Sequence, residues 1–456
     1  MGTILNEIVK EMIFWMAWII IPFIIEIIPA VYGFIILIKK KLLSKEDHIP
    51  IRLPEITLII PVYNSSSTLR GCLESVYLSN YQNELITIFL VNNQSSDDSF
   101  EVFCECQSEF SELSMQWLNA KQGKSRALNM AVFNSQGKYI INIDSDGKLE
   151  KDAINNMVIR FEQNSNIDCL TGAILIDPEL IENTQGFLLR FLRRCEMFEY
   201  AQSFLAGKNF ESEMDSIFTI SGAFSAFRKS VILKTQLYNT DTVCEDAHVT
   251  FQVRKLLNRR VHLCENALFF VDPIDDFNKL YTQRQRWQRG EIEVVHMFFL
   301  KELQSMKGSI KGFMMRLILF DHTFAFPRMI WYFALICLTF LNYPMKLIVG
   351  SVIILYSLYV FSAFLYFINI SIYLIWFKAI RKYYMSKWYI MFLFPMYHFI
   401  LFWIRLAGII NCITSISSWK TRTLSEEWSK VKELIKSDFY IFSKVRKKLK
   451  GVINNE

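Results

Sequence analysis

Several familiar patterns are missing from this chain. Its nine cysteines contain no CxxC pair and no Cys/His cluster, and only Cys104 and Cys106 are near neighbours. That removes zinc-type sites and leaves the cysteines as reduced thiols, packing as small apolar groups. No GxGxxG follows an apolar run and no GxxxxGK[ST] occurs, so neither the dinucleotide fingerprint nor a phosphate-binding loop is present. There is no internal repeat, no low-complexity block, and no basic stripe with an aromatic platform, which argues against nucleic acid as a partner. The first apolar run is expected to be an uncleaved anchor: its positive charge comes after it rather than before, the reverse of a cleavable leader.

What is present is apolar and unevenly placed. Hydrophobic residues make up 52% of the 456, and the net charge is only +6. Residues 12–38 and 313–417 are apolar almost throughout, whereas residues 50–310 read as a globular mixture. The pattern predicts a membrane protein with a sizeable soluble domain between its membrane segments. The division is 1–48 as an N-terminal anchor, 49–311 as the globular domain, 312–417 as C-terminal membrane helices and 418–456 as a basic tail. The first run exceeds the ~20 residues that cross a bilayer. It ends in Lys39, Lys40 and Lys41, which assigns the globular domain to the cytoplasm by the positive-inside rule. Pro22, Glu26 and Pro29 interrupt it, so a tilted single span and a bent or re-entrant hairpin both fit. Further spans are expected near 315–341, 347–377 and 388–413. The loop at 378–387 and the tail ("KVRKKLK") are both basic and both expected in the cytoplasm. That would make the last apolar segment re-entrant, interfacial or a short hairpin. The expected location is the cell membrane, multi-pass, with anionic lipids as partners of the basic flanks.

Within the globular part, apolar runs at 56–62, 85–91, 114–119 and 138–144 predict strands. Stretches with helical spacing at 67–79, 97–106, 125–134 and 151–162 predict helices. This alternation implies an α/β domain with a mostly parallel, Rossmann-like sheet. Ligands of such sheets sit outside the carboxyl ends of the strands. A helical insertion is expected at 180–207, lying on the membrane surface or packed on the sheet.

The chemistry-bearing residues fall where that rule puts them. Asp144 and Asp146, in a DSD at the end of the fourth strand, offer oxygen ligands to a hard cation such as Mg²⁺ or Mn²⁺, or else cap the next helix. Glu245 and Asp246 open a helix with apolar positions at Val249, Val253, Leu256 and Leu257. They suit a general base, or ordinary acidity at a helix start. "YTQRQRWQRG" carries Arg284, Arg286 and Arg289 beside Trp287, fit to hold a diphosphate or to meet lipid headgroups. Lys121, Lys124 and Arg126 in "NAKQGKSRALNMA" suit phosphate contacts. Ser221, Gly222 and Ala223 are small enough to let a substrate approach.

Taken in order, PVYN, NNQSSDD, KxGKxxALN, DSD, SGA, ED and QRQRW resemble family 2 glycosyltransferases of the GT-A fold. The likeness is to membrane synthases of the cellulose, hyaluronan and poly-N-acetylglucosamine type. The resemblance covers about residues 55–300. Trp419-Lys420-Thr421-Arg422 looks like the WGTR element of hyaluronan synthases. The wording "VNNQS" and "NAKQGKS" is also similar to glycosyltransferases associated with exosortase systems in Gram-positive bacteria.

The resemblance implies a metal-dependent, inverting enzyme that moves a hexose or N-acetylhexosamine from a UDP-sugar to a growing polysaccharide. Asp144 and Asp146 would hold the nucleotide and a divalent metal. Asp246, with Glu245 beside it, would deprotonate the acceptor. Pro61, Tyr63, Asn92, Asn93 and Lys124 would bind the nucleotide sugar. Ser221, Gly222, Ala223, Gln283, Arg286 and Trp287 would line the acceptor and diphosphate end. Accessory subunits belong among the partners such an enzyme allows. One departure is Asn92-Asn93 in the turn after the second strand, where the family carries a carboxylate against the base. An Asn carbonyl still accepts the imide N–H, without the strength of a charged acceptor. Two competing readings are transfer of one sugar to a lipid carrier or glycolipid, and a catalytically silent membrane subunit.

Overall fold

A computed structural model describes residues 11–15, 19–20, 22–43, 52–242, 244–303, 329–330, 332–414, 423–429 and 432. Eight strands among these form one sheet in the order β3-β2-β1-β4-β7-β6-β8-β5. They are β1 (Ile56–Val62), β2 (Ile86–Asn92), β3 (Ser114–Asn119), β4 (Tyr139–Ile143), β5 (Gly147–Leu149), β6 (Cys169–Ile176), β7 (Phe224–Arg228) and β8 (Val261–Val271). The first four run parallel, with Ile56 level with Ile86 and with Tyr139. The expectation of a parallel sheet holds for this half. Beyond it the sheet is mixed: β7 lies antiparallel between β4 and β6, β8 returns parallel to β6, and β5 closes the edge antiparallel to β8.

Burial follows position in the sheet. The central strands β4 and β6 are buried at every residue, and edge strand β3 alternates. That is the expected difference between a strand covered on both faces and one at a boundary. The covering helices are α1 (Ile28–Leu43), α2 (Leu69–Tyr77), α3 (Ser99–Glu109), α4 (Lys124–Asn134), α5 (Ala153–Gln163), α6 (Phe187–Tyr200) and α7 (Glu245–Phe251). In α2 the buried residues Leu69, Cys72, Leu73 and Val76 recur three and four apart, which is one helical face. Val249 and Val253 pack inward as expected, but Leu256 is exposed: residues 252–256 form a π turn, which shifts the helical face before that position.

The insertion packs between the sheet and the long helices near the C-terminus, with Phe198 against Phe367 and Phe394. The second half of α6 is buried and continues through a π turn, Ala201–Gly207, into a short helix, Lys208–Glu213. Its first turn, with Phe187 and Leu188, is exposed.

The remaining long helices are α8 (Phe277–Leu303), α9 (Met345–Tyr373), α10 (Lys378–Ser386) and α11 (Ile390–Thr414). Two stretches, Met345–Trp376 and Ile390–Cys412, are long and apolar enough to cross a membrane by length and composition. The last apolar segment is thus one unbroken 25-residue helix, despite Pro395 inside it, which excludes the short hairpin among its three expected arrangements. Pro tolerance of this kind is common in spans, where neighbouring groups take over the freed backbone contacts. The basic loop is itself helical, as α10. In the N-terminal run, residues 22–43 continue as helix without reversal, through a π turn at Phe23–Ile27, which favours the single span over a hairpin there. The expected span at 315–341 lies mostly outside the described residues, as do Trp419-Lys420-Thr421-Arg422.

Candidate active site

The chain steps from β1 outward through β2 to β3, then reverses and places β4 on the other side of β1. The crevice between the carboxyl ends of β1 and β4 is therefore a topological switch point, where open α/β sheets bind ligands. Tyr63 and Asn64 follow β1, and Asp144, Ser145 and Asp146 follow β4. The two loops are joined through buried hydroxyls: Ser65 Oγ lies 2.7 Å from Ser145 Oγ, and Ser65 N donates to Ser99 Oγ at 2.9 Å. Ser66 N donates to Asp97 Oδ2 at 2.8 Å, so the DSD loop, the PVYN loop and the NNQSSDD turn form one seam.

The two carboxylates of the DSD differ in surroundings. Asp144 accepts from Lys124 Nζ at 2.5 Å, and its backbone N–H donates to Ala223 O at 3.1 Å. Burial and the neighbouring Asp144 push Asp146 up to about 6, against the opposing pull of Lys124. Among the described residues no group of three or more His, Cys, Asp or Glu side chains is assembled for a metal. The pair nonetheless fits a hard cation that brings substrate phosphate oxygens, since Mg²⁺ is ordinarily held by one or two carboxylates and keeps its other positions for water and phosphate. Two neighbouring acids that repel each other also gain from a cation between them.

Lys124 is the first residue of α4, preceded by Gly123 at φ +129°, a backbone state that L side chains rarely adopt. Burial alone would lower the Lys124 ammonium. Asp144, Glu245 and Asp246 together outweigh it and hold the group above its ordinary value. This places the ED pair, remote in sequence, around the same cation as the DSD. Burial, with Asp246 alongside, pushes Glu245 up to about 7, with Lys124 opposing. Asp246 is seated by its neighbours. Its Oδ1 accepts from Ala247 N at 2.8 Å and from Cys244 Sγ at 3.3 Å. A Cβ at Gly222 would lie 3.1 Å from its Oδ2, so the SGA segment presses directly on this carboxylate. Ser221 N donates to Thr171 Oγ1 at 2.8 Å, while Ser221 Oγ is buried without a hydrogen-bond partner in the structure.

At the other end of the crevice, Tyr63 is exposed, beside the half-buried Pro61. Both amides of the turn are used in its construction. Asn92 Nδ2 donates to Asn119 Oδ1 at 3.0 Å, and Asn92 Oδ1 accepts from Ser95 N at 2.9 Å. Asn93 Oδ1 accepts from Gly123 N at 2.5 Å, which ties this turn to the loop that delivers Lys124.

The QRQRW segment divides into unlike parts. Arg284, counted with the diphosphate-binding arginines from sequence, is 1% exposed and committed elsewhere. It clamps Glu199 at 2.9 and 2.6 Å and lies 4.4 Å from the Trp287 ring centroid. Gln283 Oε1 accepts from Arg284 Nη1 at 2.5 Å, and Gln283 Nε2 donates to Tyr200 OH at 3.4 Å. Trp287 groups with Tyr200 and Phe204, its ring centroids 6.0 and 5.8 Å away. Arg286 is half-buried on the same helix. One turn further, Gly290 packs on Cys244, and Thr242 Oγ1 donates to Glu293 at 3.1 Å, joining α8 to the loop before Glu245. Sequence reading missed Lys208, a buried lysine near Asp246 that belongs to no motif; only its position between two helical stretches could have drawn notice.

Comparison with known proteins agrees with this geometry. Residues 57–235 match the family model for glycosyl transferase family 2. The chain is similar to a poly-β-1,6-N-acetyl-D-glucosamine synthase of Staphylococcus epidermidis, 26% identical over 350 residues, covering 75% of this chain and 79% of that one. A synthase of the same name from Staphylococcus aureus is 25% identical over 266 residues, covering 58% of this chain and 61% of the relative. Among solved structures, a mannosyltransferase from Pyrobaculum calidifontis superposes with a TM-score of 0.55 at 15% identity, covering 76% of this chain and 95% of the other. The fold is that of GT-A glycosyltransferases. More particularly, residues 57–235 carry the match to glycosyl transferase family 2, and two helices with the length and composition of membrane spans follow them.

Proposed function

We propose that the protein is a membrane-bound, inverting transferase that moves a hexose or N-acetylhexosamine from a UDP-sugar to a growing polysaccharide, with its catalytic domain in the cytoplasm. The observation that carries this reading is the convergence of Asp144, Glu245 and Asp246 on Lys124 at the switch point of the sheet. The relatives named as poly-β-1,6-N-acetyl-D-glucosamine synthases support N-acetylglucosamine as the sugar and a polymer as the product.

In this reading Asp246 takes the proton of an acceptor hydroxyl. The oxygen attacks the anomeric carbon of the donor as the bond to the diphosphate breaks, inverting the centre and releasing UDP. General-base assistance of this kind is worth about 10²–10⁴-fold. Ala247 N, Cys244 Sγ and Gly222 fix the base in place. Asp144 and Asp146 would hold Mg²⁺ or Mn²⁺, which would neutralise charge on the leaving diphosphate. Pro61, Tyr63, Asn92 and Asn93 would border the nucleotide base, and Lys124 the phosphates. Ser221 Oγ, buried and unpartnered, has a hydrogen bond to offer a sugar hydroxyl. Gln283, Arg286 and Trp287 would face the acceptor. Lipids and accessory subunits are the partners this assembly would meet.

The test is sugar transfer by membranes containing the protein, from a panel of radiolabelled nucleotide sugars. A ladder of long products from a UDP-sugar is expected, with Asp246→Asn losing about 10²–10⁴-fold in turnover while still binding donor. Products one sugar long would replace polymer synthesis by single addition. Absence of transfer from every nucleotide sugar would overturn the enzyme assignment.

A further inference from the structure

Lys208 opens the short helix that follows the π turn of the insertion, and it is 5% exposed. Lysine is almost never buried without partners that offset its lost hydration. Here Nζ donates to Thr219 O at 2.5 Å and lies 5.4 Å from the centroid of the Phe204 ring. Its electrostatic neighbours are Glu211 on its own helix, Asp246 on α7, Glu291 on α8 and the Cys244 thiol. The carbonyl it holds begins a segment that runs straight to the ED pair. Ile220 N donates to Thr250 Oγ1 at 3.0 Å, and the same hydroxyl donates to Asp246 O at 2.6 Å. Gly222, two residues on, meets the Asp246 carboxylate. The segment 219–223 is thus pinned at one end by an ammonium and at the other by the residue read as the base.

We propose that Lys208 is a positioning residue for transfer: by holding Thr219 O it fixes residues 219–223 as the wall on which Asp246 is seated. The inference rests on reading Asp246 as the acceptor base. Burial lowers the Lys208 ammonium below its ordinary value, and Glu211, Asp246 and Glu291 oppose that. Removing Lys208 frees Thr219 O and with it the wall against which Asp246 is seated.

The experiment measures kcat, donor KM and the unfolding temperature for the full-length wild type, Lys208→Met, Lys208→Gln and Lys208→Arg in membranes. Lys208→Met is expected to lower kcat about tenfold, with donor KM within about twofold. Lys208→Gln and Lys208→Arg each keep a donor for Thr219 O and should recover most of the wild-type kcat, so they serve even where the methionine variant is poorly folded. A well-folded methionine variant with wild-type kcat, or glutamine and arginine variants as impaired as the methionine one, overturns the proposal. An inactive wild type would instead overturn the reading of Asp246 on which it rests.

Discussion

At the scale of single residues, the amides Asn92 and Asn93 have a double character. Their carbonyls already accept from Ser95 N and Gly123 N, so they build the turn they stand in. Each sp² oxygen still has a second acceptor direction for a nucleotide base. Asn93→Asp is the informative change, because a carboxylate oxygen continues to hold Gly123 N while adding the charge that the family ordinarily has in this turn. Donor KM should change several-fold, with kcat nearly unaffected; a titration of initial rates against donor concentration separates the two. A large fall in kcat at unchanged KM would place this turn away from the base. Asn92→Asp is the less clean variant, since it sets a carboxylate against Asn119 Oδ1 and forces that side chain to rearrange.

At the scale of elements, local pattern foretold most of what is local. Strands β1 and β3 begin and end where the apolar runs predict, and the helices between β1 and β4 fall within a few residues of their expected bounds. The DSD and ED acids were legible because each sits at the end of a strand or the start of a helix. What pattern could not supply depends on distant pairing. The antiparallel placement of β7 and β5 has no local signature, and neither has the ring of acids around Lys208. Arg284 shows the same limit: in sequence it looks like its neighbour Arg286, and only packing reveals Glu199 facing it. Breaking a buried ion pair from one side strands the other charge, at a cost of about 3–5 kcal/mol. Arg284→Ala should accordingly lower thermal stability by an amount of that order, as read by unfolding in detergent. A variant that keeps wild-type stability but loses donor or acceptor binding would return Arg284 to the substrate.

At the scale of the whole molecule, the globular domain meets α1 and α10 through ion pairs. Lys40, at the end of α1, donates to Asn209 Oδ1 at 2.7 Å and pairs with Glu213 at 3.0 Å and Glu265 at 3.5 Å. Asn209 is the neighbour of Lys208, so the N-terminal helix and the proposed clamp share one short helix. On the other side, Glu182 gathers Arg194, Lys387 and Tyr383, linking the domain to α10. These junction acids and the buried interior acids respond to pH in opposite directions. Burial would raise Glu265, but Lys40 and Arg160 overcome it and hold the group at about 2; Arg194, Tyr383 and Lys387 do the same for Glu182. Burial is the leading cause that pushes Glu196, Glu211 and Glu245 up to about 7. A group with a raised value binds its proton more tightly when folded, so the interior acids add stability as pH falls from above 7 toward the ordinary 4.5. A group with a lowered value contributes fully above 4.5 and loses that contribution as pH falls from there toward 2. Thermal unfolding in detergent, without added nucleotide or metal, should therefore show a maximum between about pH 4.5 and 6. Glu265→Gln should weaken the decline on the acid side while leaving the alkaline side intact, and Glu211→Gln should do the reverse. An unfolding temperature that rises steadily from pH 5 to pH 8 would mean that the interior acids are not held in their protonated form by the fold.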